Sequence, residues 1–228
     1  MSTSVMSMQE AMKERHRVRK FTDRKIPVSL VEKLQARAEE NNEKYGLSIR
    51  LILNNPRGLT SLARLRSAKN AVNFFLLSGP AAIGATELDS RLGYAGADLI
   101  LYARSLGLDT WWCGGLFSKK EARRITGPDF TSNGIIVIGY GLTHGSNHKS
   151  KSAEEISSYQ GQAPQWFTRG VEALLLAPTA FNKQPFTVTG EGQTVSLTSG
   201  GGIYSGINLG IGRYFFELGA GKDNFRWA

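Results

Sequence analysis

Cysteine is almost absent from this chain. Cys113 is the only one in 228 residues, so an intrachain disulfide is impossible and a cysteine-based metal centre lacks its ligands. Histidine is nearly as scarce, with three residues and no ligand-like cluster, which argues against a structural zinc site. Hydrophobic runs of membrane length are missing as well: the apolar helical stretch near Leu99–Tyr102 is broken by Arg104, too soon to span a bilayer. The residues before Glu10 are polar and lack the apolar core of a signal peptide. These absences lead us to expect a soluble, cytoplasmic protein with no membrane partner and no metal. A catalytic His/Asp/Glu constellation is not evident either, so no side chain is singled out as an acid, base or nucleophile.

Acidic residues are also in deficit. Asp and Glu number 19 against 28 Lys and Arg, for a formal charge of +9, which points to anionic partners such as nucleic acid, a membrane surface or a phosphorylated cofactor. Much of the excess lies in one short segment containing Lys13, Arg15, Arg17, Arg19, Lys20, Arg24 and Lys25. A basic run is ordinarily a solvated face, but this one is threaded with Val18, Phe21 and Ile26, which would anchor it to a core. If the segment is extended, Arg15, Arg17 and Arg19 point the same way by the two-residue period of a strand. Three guanidinium forks together match phosphate oxygens in geometry and charge.

Along the chain, Val5–Glu14 has the pattern of a short amphipathic helix. Pro27 opens a second helix that runs to Glu43 with Ser29 as its cap and Leu30, Leu34 and Ala38 as its apolar stripe. Ser48–Leu53 alternates as a strand, and Leu59–Leu65 suggests a short helix. Ala71–Ser78 and Gly134–Gly139 are near-continuous apolar runs of strand length, expected at the centre of a sheet covered on both faces. Between them Leu88–Leu106 is a helix apolar nearly all round, hence buried, and Gly107 closes it. Ser118 caps a short helix through Arg124.

Residues 141–152 are polar and basic and form a loop or linker. Phe167–Leu176 resumes helical spacing and stops at Pro178. Phe186–Val188 and Thr194–Leu197 form a hairpin with Gly190 and Gly192 in the turn, and Tyr204–Leu218 is a glycine-rich apolar helix. Ala177–Pro185, Ala-Pro-Thr-Ala-Phe-Asn-Lys-Gln-Pro, is over-specified for a connector: its prolines fix φ and remove donors, leaving a hydroxyl, amides and an aromatic in a set array. The two halves also echo one another. Tyr94, Gly96, Asp98 and Leu99 recur at the same offsets as Tyr204, Gly206, Asn208 and Leu209, and with the polar linker between them this suggests two related lobes about a pseudo-twofold axis, the second truncated.

Three of these stretches together resemble the FMN-dependent nitroreductases. Arg15-His16-Arg17-Val18-Arg19-Lys20-Phe21 looks like that family's N-terminal Arg-rich signature. Leu106–Gly115 is similar to its segment beside the flavin ring, and Ala177–Phe186 to its Ala-Pro-Ser-x-x-Asn-x-Gln-Pro-aromatic motif. The pieces run from about Lys13 to Gly219, but their order departs from the family's, because the Ala-Pro motif falls in the second half. The chain therefore resembles the branch in which two fused nitroreductase-like lobes, 1–152 and 153–228, form a pseudo-dimer within one polypeptide. The fold this implies is α+β, a mixed or antiparallel sheet flanked by helices around a buried central helix.

The resemblance implies FMN as cofactor and NAD(P)H as reductant. Arg15, Arg17 and Arg19 would hold the phosphate and ribityl chain, with His16 carried in the same signature and Lys149 and Lys151 assisting. Gly114 and Gly115 would approach the ring near N5, where hydride arrives. Pro178, Thr179, Ala180 and Asn182 would meet the pyrimidine edge, with Lys69 and Asn70 at the polar end of the ring. Trp111, Trp112 and Phe181 would shape the substrate pocket. Taken by themselves, His16, Asp98, Cys113 and Gln184 suit structural roles. The implied enzyme is an oxidoreductase that reduces small electron-poor acceptors such as nitroaromatics or quinones by ping-pong hydride transfer, as a monomer or weak homodimer. An FMN-binding or storage protein without efficient turnover is the alternative. Nucleic-acid binding ranks last, because no stacking aromatics or recognition helix accompany the charge.

Overall fold

Two segments with buried apolar runs, Phe74–Pro80 and Phe130–Gly139, pair as the middle of a four-stranded antiparallel sheet. The computed structural model of the chain describes residues 6–143 and 150–228. The helices are α1 (Met8–Glu14), α2 (Val28–Tyr45), α3 (Ser61–Arg66), α4 (Ala85–Ser105), α5 (Lys119–Thr126), α6 (Ala153–Ile156), α7 (Gln165–Leu175) and α8 (Ser205–Ala220). The strands are β1 (Arg50–Ile52), β2 (Phe74–Pro80), β3 (Asp109–Cys113), β4 (Phe130–Gly139), β5 (Ser157–Gln160), β6 (Phe186–Glu191), β7 (Thr194–Ser199) and β8 (Arg226–Trp227). The chain forms two compact units, Met1–Leu88 with Leu99–Asn147 and Asp89–Asp98 with His148–Ala228. Helix α4 thus contributes its ends to one unit and its middle to the other. Among the described residues, no helix is long and apolar enough to cross a membrane.

In the first unit the strand order is β1-β2-β4-β3, antiparallel throughout. Aromatic and β-branched residues suit this half-buried pleated surface, and facing pairs such as Phe74 with Val137 and Phe75 with Ile136 fill its centre. The basic segment is pinned against the sheet. Val18 N donates to Thr110 O at 3.0 Å, Phe21 N to Lys69 O at 2.9 Å, and Thr22 N to Tyr140 O at 2.8 Å. Val18 and Phe21 are buried in the core with Phe74, Leu76, Trp111 and Val137. The segment is therefore an anchored extended strip, as its interleaved apolar residues suggest.

Some helix starts follow side-chain chemistry and others do not. Ser7 and Glu10 form a capping box at α1, and Ser118 Oγ accepts from Glu121 N at α5. At α2 the expected Ser29 cap is not used. The helix begins at Val28, and the Pro27 carbonyl accepts from Leu30 and Val31, so the fixed φ of proline starts the helix and Ser29 lies inside its first turn.

Glu121 joins α5 to the turn before α3. Its Oε1 accepts from Asn55 Nδ2 and Arg124 Nη2, both at 2.8 Å, and its Oε2 from Arg124 Nε at 3.0 Å. These bonds, that from Arg124 first and that from Asn55 next, hold the carboxyl down from 4.5 to about 2. A depressed carboxylate contributes stability that is present above its ordinary value and lost as pH falls toward the folded one. Glu121→Gln should therefore flatten the acid side of a melting-temperature profile between pH 4.5 and about 2. At neutral pH the variant should lose about 1 kcal/mol, the low end for a charged hydrogen bond, because the exposed Arg124 and Arg57 side chains regain water. A variant profile that falls as steeply as the wild type's would refute this.

The second unit has its own sheet, in the order β5-β6-β7-β8. Here β6 and β7 are an antiparallel hairpin, while β5 and β8 add in parallel at the edges. The single sheet expected from the sequence is therefore two sheets, one antiparallel and one mixed, within the anticipated α+β class. Burial alternates along β6, with Phe186, Val188 and Gly190 inside. Gly190 is a strand residue paired with Val195 rather than part of the turn. A Cβ there would strike the ring of Tyr159, so the glycine is needed for close packing, and Gly192 at φ 55° makes the turn.

Helix α8 packs on α7 and on the middle of α4 with glycines at the contacts. A Cβ on Gly210 would lie 2.7 Å from Tyr94 N and closer still to Ser90 O, and one on Gly93 would meet Ile207 O. Around this crossing, Tyr214 Oη donates to Asp98 Oδ1 at 2.8 Å. Lys222 Nζ sits 2.7 Å from Glu217 Oε2, and Trp227 Nε1 donates to Glu217 Oε1 at 2.8 Å, so β8 is tied to α8. The echo positions take unlike partners: Asp98 accepts from a tyrosine on α8, whereas Asn208 accepts from a loop amide.

Candidate functional site

Among the described residues, the arginines of the extended strip after α1 have no acidic partners. Arg15 stands at the C-cap of α1, where the backbone turns extended, and its Nε is buried with no hydrogen-bond partner among the described residues. Burial first, and then the neighbouring Arg17 charge, push its guanidinium from 12.5 down to about 10. Arg19 is shifted down by the same two causes in the same order, so Arg17 acts electrostatically on both neighbours. Among the described residues, no carboxylate forms an ion pair with any of the three. Clustered cations with a buried, unsatisfied donor are costly, and an anion relieves that cost directly.

Other candidates gather along the same strip. Lys69 N donates to Arg19 O at 3.2 Å, placing the exposed Lys69 and Asn70 beside it. Asn70 adopts φ 52° and its Nδ2 donates to Phe21 O at 3.2 Å. The Arg19 guanidinium lies 5.3 Å from the centre of the Trp111 ring. Trp111 belongs to the core at 3% exposure, while Trp112, on the opposite face of β3, is half-buried. His16 is half-buried within the strip. Gly114 and Gly115 form the bend that follows β3, with Gly115 exposed. Cys113 is buried, and burial raises its thiol to about 11, an inert setting that suits the structural role expected of it.

The Ala177–Pro185 loop of the second unit is rigidly built. Phe181, Asn182 and Gln184 have φ of 55°, 56° and 43°, left-handed values uncommon for side-chain-bearing residues. Hydrogen bonds over-determine this shape. Ala180 N donates to the buried Asn208 Oδ1 at 3.2 Å, Asn182 N to Thr179 O at 3.0 Å, and Gln184 N to Thr179 Oγ1 at 3.0 Å. Gln184 is 1% exposed. Its Nε2 donates to Leu175 O at 2.6 Å, and its Oε1 accepts from Lys151 N at 2.7 Å. Gln184 therefore clips the end of α7 to the chain before α6, a structural role. Pro178, Thr179 and Ala180 are half-buried, whereas Phe181 is 82% exposed.

The structure thus brings Arg15, Arg17, Arg19, Lys69 and Asn70 together along one strip, and Pro178, Thr179, Ala180 and Asn182 together in one loop. The Lys151 backbone joins that loop through Gln184, and Lys149 lies outside the described residues. Two contributors went unassigned from the sequence. Asn208 fixes the loop, and Tyr204 packs its ring against Phe181. Both belong to the internal echo, which marked them as a repeat and gave no sign of what they touch.

Comparison with known proteins agrees with the resemblance seen in the sequence. The family model described as "Putative TM nitroreductase" matches residues 7–220. Among solved structures, a "putative nitroreductase" from Thermotoga maritima aligns with 98% of this chain and 88% of its own, at 22% identity and a TM-score of 0.66. A "putative nitroreductase in complex with FMN" from Desulfovibrio desulfuricans aligns with 67% of this chain and 96% of its own, at 16% identity and 0.55. A "putative NAD(P)H:FMN oxidoreductase" from Staphylococcus epidermidis aligns with 68% and 96%, at 14% identity and 0.54. No curated protein matches. At these identities the solved structures establish the fold.

Proposed function

Because the chain belongs to this nitroreductase family, we propose that it is an FMN-dependent oxidoreductase that draws on NAD(P)H to reduce electron-poor acceptors such as nitroaromatics or quinones. The observation that carries the reading is the half-buried Arg15, whose buried Nε has no hydrogen-bond partner among the described residues, beside Arg17 and Arg19. That is the environment expected of a binding site for a dianionic phosphate. The named Desulfovibrio and Staphylococcus proteins, one bound to FMN and one described as acting on NAD(P)H and FMN, support the choice of cofactor.

Bound FMN would supply the two-electron chemistry, taking hydride from the reduced nicotinamide and passing it to the acceptor. The protein's own part is binding and orientation. Arg15, Arg17 and Arg19 hold the phosphate end, with Lys149 and Lys151 as further cations. Lys69 and Asn70 offer polar contacts beside Arg19, and Gly114 and Gly115 leave the backbone open to close approach. The preset backbone of Pro178, Thr179 and Ala180, with the Asn182 amide, offers donors and acceptors to the polar ring edge. No side-chain acid or base is assigned. Purified protein should be yellow, or become so with added FMN, and should bleach when NADPH is added anaerobically. Failure to bind FMN would overturn the proposal, and binding without NAD(P)H oxidation would reassign the chain as a flavin-binding protein.

A further inference from the structure

Helix α3 turns its leucines toward water. Only Ala63 of this helix is buried, while Leu62 and Leu65, one turn apart on the same side, are 55% and 85% exposed. Hydrogen bonds at its start hold the helix instead of its apolar side chains. Thr60 Oγ1 accepts from Ala63 N at 3.3 Å, Thr60 N donates to Leu116 O at 2.9 Å, and Ser118 N donates to Gly58 O at 2.8 Å. The last two bonds set the start of α3 beside the start of α5 and bring in Leu116, itself 36% exposed. A single exposed leucine is ordinary. Three brought together by two adjoining helix starts are the kind of patch that marks an interaction surface.

The exposed charges around this patch have one sign. Arg64, Arg66, Lys119, Lys120 and Arg123 are all exposed, and among the described residues none of them forms an ion pair. Residues 57–70 and 114–126 contain a single carboxylate, Glu121, and it is buried and bonded to Asn55 and Arg124. We infer that α3 and the start of α5 form a docking surface for an anionic lipid bilayer, with Leu62, Leu65 and Leu116 entering the acyl boundary. The flanking cations lay their methylene stems along that boundary and keep their heads at the lipid phosphates. Nucleic acid presents phosphates too, but its bases are held by aromatic rings, and the apolar side chains exposed here are aliphatic. A bilayer also needs no shaped pocket to accept leucines that stand clear of the surface. The expectation of no membrane partner rests on the lack of a spanning segment, which a surface contact does not require. This surface lies within the first unit and does not depend on the cofactor assignment.

The test is cosedimentation of the full-length protein at low salt with vesicles of phosphatidylcholine, alone or mixed with phosphatidylglycerol. Wild type should bind the mixed vesicles about tenfold more tightly than the neutral ones, and release them as salt rises. The double variant Leu62→Ser, Leu65→Ser keeps every charge and should bind the mixed vesicles about tenfold more weakly. The double variant Arg66→Gln, Lys120→Gln should lose a similar factor and much of the salt dependence. All four side chains are exposed, so both variants should melt with the wild type. Wild type that ignores the mixed vesicles would overturn the inference. So would a leucine variant that binds them as tightly as wild type, which would leave only the attraction of a basic protein for any polyanion. Tighter binding to a single-stranded oligonucleotide than to the mixed vesicles, unchanged in the leucine variant, would overturn it in favour of nucleic acid.

Discussion

Gly210→Ala should destabilise the second unit by about 3 kcal/mol or more, read as a fall in the urea midpoint. The added methyl has nowhere to go. Its carbon would lie 2.7 Å from Tyr94 N and closer still to Ser90 O, both backbone atoms of α4. Side chains yield to a new neighbour by changing rotamer, but backbone in the middle of a helix does not. The two helices must move apart along their whole contact, and the buried apolar residues on either side lose their packing. Gly93→Ala, which meets Ile207 O from the other helix, should cost a similar amount. The double variant should cost less than the sum, since one separation accommodates both methyls. Gly201→Ala is the control. Nothing lies within 4 Å of its Cβ, and its effect should stay within about 0.5 kcal/mol. Against a typical total of about 5–15 kcal/mol, a 3 kcal/mol loss is large. Equal midpoints for Gly210→Ala and Gly201→Ala would refute the close-crossing account.

Arg15→Met should weaken FMN binding about tenfold to a hundredfold, the worth of one charge-assisted hydrogen bond from a buried donor. The same substitution should raise the melting temperature of the FMN-free protein. The two effects have one origin. Arg15 is desolvated, repelled by Arg17 and bonded to no carboxylate, so in the absence of an anion its charge opposes folding. The sign follows from linkage: a cation whose folded pKa lies below its unfolded value is more easily deprotonated in the native state and destabilises it wherever both forms are charged. Methionine keeps the apolar stem and removes the charge. Excess FMN should raise the melting temperature of wild type and have far less effect on Arg15→Met. Arg17→Ala, on an exposed side chain, should weaken binding less than tenfold. An Arg15→Met protein that melts lower than wild type without FMN would show that the guanidinium has a structural partner, and would sink the assignment.

How far the sequence could be read depended on whether a residue's role was local. The apolar runs that became β2 and β4, the all-round apolar α4 and the Ser118 cap each carry their signal within a few residues, and all were legible. Strand β3 was not, because Asp109 and Thr110 interrupt the apolar pattern and the segment follows directly on a helix end. Strands β5 and β8 are short edge strands whose pairing in parallel to a distant hairpin leaves no periodic trace. That is why one sheet was expected and two exist. In the candidate site, the arginine strip was legible because its apolar anchors alternate with its charges. Fixing of the loop by Asn208 and Gln184 depends on contacts across the fold, and the bond from Ala180 to Asn208 spans 28 positions. Sequence spacing does not encode such contacts.

The division of α4 between the two units also governs how the polypeptide emerges during synthesis. Residues 89–98, whose Ser90, Gly93 and Tyr94 meet α8 in the finished fold, leave the ribosome on the order of a hundred residues before α8 arrives to cover that contact, an interval of about 5–20 s at ordinary elongation rates. A fragment starting after the linker would lack this surface altogether, and one ending before it would leave the surface uncovered. The gene therefore cannot be cut into two self-sufficient halves at the polar linker, although that is where the composition of the chain changes.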